Sequence, residues 1–227
     1  MRDIGEQPLS GLWRGGVRMT LDACKMSGID TVGGGLSLNE ASLILYKNVA
    51  GKKLAVINCC EHEFSIATES TAGSNPLNPI QQFYAIQTAR QHADYVVVIV
   101  HGGHERFQLP SPRMQETYRF FIDAGADAVV NHHQHCYSGY EYYQGKPIFY
   151  GLGNFCFDTD MPCENSWYEG YIVELNFTNR EKIEHRIIPY TQCMGNCKIN
   201  ILPESYYDRR ISELNSILVP LLIFKCK

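Results

Sequence analysis

The sequence predicts an α/β fold in which buried strands alternate with helices through the middle of the chain. Three observations carry that expectation. Continuous apolar runs at residues 53–60 (KLAVINCC), 94–100 (DYVVVIV) and 126–131 (ADAVVN) read as strands covered on both faces. Segments of helical content separate them at 80–92 and 112–125, the second opened by Pro112 and closed by Gly125. The 227 residues, 44% hydrophobic and 19% charged, suffice for a packed core.

Taken in order, residues 17–27 read as a helix stopped by Gly28. Residues 30–35 (DTVGGG) read as a short strand entering a glycine-rich turn. No Gly-Lys-Ser/Thr follows, so the triplet is a weak phosphate signal and reads as a plain turn. Residues 39–46 fit either a short helix or the lead into the next strand. A loop rich in Ser, Thr, Gly, Asn and Pro covers 69–79. Strand, helix, strand, helix, strand from 53 to 131 implies right-handed crossovers and a largely parallel core. After residue 136 the pattern alternates. A hairpin is expected over 140–150 around Gln144-Gly145-Lys146, and another over 168–177 and 182–190, both as antiparallel additions to the sheet. No repeat or linker stands out. One domain over 1–200 followed by a tail at 201–227 is the expectation.

A net charge of −4 gives no electrostatic case for nucleic acid. An anionic substrate has to be held by local cations, either metal ions or a few Arg and Lys side chains. Nine cysteines, an odd number set mostly in apolar runs, fit reduced thiols in a cytoplasmic protein. Residues 1–16 lack the charged-then-apolar layout of a secretory leader. The late apolar run at 217–224 is broken by Pro220 and falls short of the roughly 20 residues that cross a bilayer. A soluble chain with no membrane-spanning segment is expected, membrane-associated only through an anchor outside this sequence.

Two of the strands end in histidines. His101-Gly-Gly-His104-Glu105 follows the DYVVVIV run, and His132-His133-Gln134-His135 follows ADAVVN. Ligands of open α/β sheets bind beyond the carboxyl ends of strands, so parallel strands here bring five of the eight histidines to one crevice. On extended backbone, His133 and His135 face one side and His132 the other. Neutral imidazoles suit zinc, manganese or iron. His101, His133 and His135 are therefore the candidate metal ligands. His104 and His132 are candidate proton donors, and Glu105 a substrate contact or an orienting partner for an imidazole. Glu63, two residues past Glu61 at the end of KLAVINCC, is a candidate substrate contact or ligand, with a solvated loop as the other reading. Asn154 in Gly151-Leu-Gly-Asn-Phe155 is either a ligand contact or a self-stabilised turn. No nucleophile elbow of the Gly-x-Ser-x-Gly type is present.

HGGHE at 101–105, GADAVVNHHQH at 125–135 and YGLGNF at 150–155 together resemble the CapA family of poly-γ-glutamate capsule synthesis, which is similar to calcineurin-like metallophosphoesterases. The resemblance spans roughly residues 17–158 and includes Gly28-Ile29, Gly33-Gly34-Gly35 and Asn39-Glu40-Ala41. It implies an αββα sandwich around a dinuclear metal centre, with His101 and Glu105 from the first motif, His133 and His135 as closing ligands, and Asn154 as the asparagine of the last. Asn131, Gln134 and Gly151 stand where that family usually has Gly, Pro and Ser. The family's early ligands, an Asp-bearing strand, a second acidic loop and an Asn-His pair, are not found. The expectation is thus a metal-dependent hydrolase-like protein of capsule synthesis, incomplete at its N-terminus and weakened for want of a bridging carboxylate. It would act on an anionic polymer or a small phospho or amide substrate. The alternative is a non-catalytic remnant that binds metal or polyanion.

Overall fold

A computed structural model describes residues 7–61, 65–157, 165–192 and 198–218, and in it the chain forms two units, 1–100 and 101–227. The first unit opens with α1 (Gln7–Met26), which begins ten residues before the expected helix. It stops where Gly28 turns left-handed (φ 67°) and Ile29 N donates back to Cys24 O at 2.8 Å. β1 (Gly34–Gly35) pairs with β4 (Gly73–Ser74). The stretch left open at 39–46 becomes both things: α2 (Leu38–Ala41), capped by Ser37, and then β2 (Leu45–Val49). β3 (Lys52–Cys60) runs antiparallel to β2 and lies between it and β5 (Tyr95–His101). α3 (Pro79–His92), capped by Asn78, precedes β5. β3 departs from its sequence reading. Only Ala55, Ile57 and Cys59 are buried, on one face, while the alternate residues stay partly exposed. An uninterrupted apolar run cannot distinguish one covered face from two.

The second unit begins at His101, the last residue of β5. α4 (Pro112–Asp123) is capped by Ser111 and leads to β6 (Ala128–His132). β7 (Tyr140–Tyr143) and β8 (Lys146–Phe149) form the expected hairpin, with Gln144 and Gly145 both left-handed (φ 52° and 76°) as a two-residue turn demands. β8 then pairs parallel to β6 through Val129↔Ile148. β9 (Glu169–Asn176), β10 (Glu184–Gln192) and β11 (Ile199–Ile201) do not extend that sheet as expected. They form a separate antiparallel sheet of their own.

The two sheets of this unit face each other across Val130 and Phe149 on one side and Tyr171, Val173 and Ile187 on the other. Asn131, next to Val130, points away from that core by strand alternation and meets Tyr118 of α4. The layering here is helix, sheet, sheet, as part of a mixed α/β architecture. α5 (Asp208–Leu218) buries Ile211, Leu214 and Leu218, and Asn215 Oδ1 accepts from Tyr140 N at 2.7 Å. Much of the segment expected as a tail thus belongs to the core of this unit. Among the described residues, no helix is long and apolar enough to cross a membrane.

Candidate metal centre

The loop that starts at His101 meets the end of β6. Gly102 N donates to His132 O at 2.9 Å, and Arg106 N to Gln134 O at 2.6 Å, so the two histidine loops are joined by their own backbones. β6 ends at His132, and the chain then leaves the extended region: His133 has φ 126° and His135 φ 59°. Such angles are rare for residues bearing a Cβ and mark a segment held by its surroundings. They also overturn the expectation that His132 points away from its neighbours, because alternation holds only on extended backbone. His132 Nδ1 lies 3.1 Å from His101 Nδ1. The His101 and His133 rings are 4.6 Å apart between centres, and those of His133 and His135 5.9 Å.

Ligand atoms of Glu105, His133 and His135 all lie within 4.8 Å of one another. Two ligands each about 2 Å from a zinc ion sit at most about 4 Å apart. Closing the set onto an ion thus takes a movement of about an ångström. Two imidazoles and a carboxylate are a fitting donor set for a divalent transition metal. The geometry groups Glu105 with the two closing histidines, while His101 contacts His132 through Nδ1.

His135 is held firmly by its neighbours. Its Nδ1 lies 2.7 Å from Asn154 Oδ1. Asn154 Nδ2 donates to the carbonyls of His135 (3.2 Å) and Trp167 (3.1 Å), which leaves Oδ1 as the acceptor. His135 must then carry its proton on Nδ1, and Nε2 keeps the lone pair that a metal needs. Trp167 stacks on the ring at 4.9 Å and Phe157 meets it edge-on at 5.1 Å. A cavity of about 540 Å³ is lined by His101, His132, His133, His135, Asn154 and Phe157, with an apolar wall from β9.

Burial, together with the neighbouring His101 and His133, lowers the pKa of His132 to about 4. At neutral pH its ring is uncharged. His104 is exposed on the turn that carries Glu105. Glu63 lies outside the described residues.

Sequence reasoning missed Asn131, which is fully buried. Its amide donates to Gly102 O (2.9 Å), Gln134 Oε1 (2.8 Å) and Tyr150 O (2.9 Å), and its Oδ1 accepts from Tyr118 at 2.7 Å. The available signal was an amide closing an apolar strand.

Residues 13–159, more than half of the chain, match the family described as bacterial capsule synthesis protein PGA_cap. The chain belongs to that family. It is 36% identical over 149 residues to the capsule biosynthesis protein CapA of Bacillus anthracis, covering 63% of this chain and 36% of that protein. It is 38% identical over 146 residues to the PGA biosynthesis protein CapA of Bacillus subtilis (strain 168), covering 63% and 38%. The chain therefore spans well under half the length of these curated relatives. A crystal structure of a hypothetical protein from Thermus thermophilus overlaps 70% of this chain and 62% of its own, with 16% identity and a TM-score of 0.40. All three motifs that carried the sequence resemblance fall inside the residues matched to the family.

Proposed function

We propose that this PGA_cap family member serves capsule or poly-γ-glutamate synthesis through a divalent metal held by Glu105, His133 and His135, with His101 beside them. Hydrolysis of a phosphoester or amide bond in an anionic polymer, or in a small substrate related to it, is the matching chemistry. The observation that carries this reading is the His135–Asn154 pair. It selects the one tautomer that leaves Nε2 free to ligate, beside a second imidazole and a carboxylate.

A bound divalent cation would neutralise an anionic substrate and lower the pKa of a water molecule. The chain's own residues supply the rest. Asn154 orients His135, the apolar wall of the cavity restricts water, and His104, on the exposed turn beside Glu105, would be the group that gives a proton to a leaving group. His132 is uncharged at neutral pH, so it has no imidazolium proton to give there.

The test is metal analysis and titration of the purified chain with zinc and manganese(II), alongside His133→Ala. Binding of about one equivalent, lost in the variant, is expected. Phosphodiesterase and amidase assays with manganese(II) then separate an enzyme from a non-catalytic metal-binding protein. Absence of metal binding by the wild-type chain, or an equal signal from both forms, would refute the site.

A further inference from the structure

We infer that Asn131, Gln134 and Gly151 act together as a positioning clamp that fixes the two histidine loops against each other. The inference rests on the metal-site reading for its purpose but not for its geometry. Asn131 contacts both loops from inside. Its amide reaches Gly102 O, beside His101, and Gln134 Oε1, between His133 and His135. It also reaches Tyr150 O, beside Gly151. An amide has two hydrogens for these three acceptors, so at least one is shared, and Tyr118 holds Oδ1 in place from α4.

Gln134 is the second arm. Its side chain is buried, its Oε1 accepts from Asn131, and its carbonyl accepts from Arg106 N. Space around it is tight. A Cβ added at Gly151 would sit 2.8 Å from Gln134 Oε1 and 3.1 Å from Ser138 Cβ. Gly103, left-handed at φ 109°, would place a Cβ 3.1 Å from Gln134 Cγ. A side chain at 151 would therefore press on Gln134 Oε1, and Gln134 supplies the one side-chain acceptor among the three that the Asn131 amide reaches.

Asn131 bonds to Gln134, and Gly151 lies against the same Gln134 side chain. Their effect is to set where His101 and His132 meet and where His133 and His135 point. None of the three touches the ligand atoms, so they are positioning residues.

The experiment uses the full chain with Asn131→Ala, Gln134→Ala, Gly151→Ser and the double variant Gln134→Ala/Gly151→Ser, each checked for folding by circular dichroism. The metal-free readout is the proton resonance of the ring N–H between His101 and His132. The second readout is zinc and manganese(II) affinity by calorimetry. Asn131→Ala is expected to lose the resonance and to weaken metal binding by about tenfold or more. Gly151→Ser is expected to do the same, whereas the double variant behaves like Gln134→Ala alone, because removing Oε1 makes room for the serine. A folded Asn131→Ala with unchanged resonance and affinity would overturn the clamp, as would additive effects at 134 and 151. If Asn131→Ala does not fold, the 134/151 cycle decides. If the wild-type chain binds no metal, the metal reading fails, and the resonance still decides the clamp.

Discussion

Asn154 fixes the proton of His135. The 2.7 Å contact from Nδ1 to Oδ1 has a single sense, because the Asn154 amide nitrogen is committed to the carbonyls of His135 and Trp167. One buried asparagine thus decides which ring nitrogen of the neighbouring loop faces the cavity.

Asn154→Ala removes the acceptor and lets His135 exchange tautomers. Zinc or manganese(II) affinity should fall by about 10- to 100-fold, the usual cost of losing a partner behind a metal-binding imidazole. Asn154→Asp keeps an acceptor for Nδ1 but loses both donated bonds, so its affinity should be intermediate. Isothermal titration of the three proteins checks the order.

Metal should also stabilise the fold. At a free ion concentration of about 100 times Kd, the gain is about 2.7 kcal/mol. Differential scanning calorimetry with zinc and again with a chelator should show a higher Tm for the loaded protein. Glu105→Ala and His135→Ala should abolish the difference while leaving the metal-free Tm nearly unchanged for the exposed Glu105.

Tyr118→Phe deletes one hydroxyl and leaves Asn131 Oδ1 buried without its donor. Stranding a buried acceptor costs about 1–3 kcal/mol. Urea denaturation should show that loss with an unchanged m-value, since the ring still stacks on Tyr150 at 5.9 Å.

His185 gives a pH dependence with a definite sign. Burial among Tyr140, Phe149 and Tyr142 holds its pKa below the ordinary 6.5. The unfolded chain therefore binds that proton more readily than the folded one. The contribution to stability is complete above about pH 6.5 and is lost as pH falls from there through the depressed folded value. Denaturation midpoints at pH 7.5 and 5.5 should differ less for His185→Gln than for the wild-type chain.

Sequence periodicity determined most of the elements. α3, α4, β5, β6 and the β7–β8 hairpin lie within a few residues of where apolar runs, capping residues and turn residues put them, because those signals are local. The sequence also determined that histidines end two strands and that Asn154 belongs to the same motif set. Tertiary structure decided the rest. It set β9, β10 and β11 into a sheet of their own, since pairing partners are chosen by packing across Phe149 and Tyr171 rather than by alternation. It turned His132 toward His101 and grouped Glu105 with His133 and His135. Those placements follow from left-handed backbone at 133 and 135, held by contacts from Asn131, Gln134 and Asn154 that lie far apart in sequence or point inward from a strand. Local pattern specifies what a segment prefers, and contacts between segments decide where its side chains point.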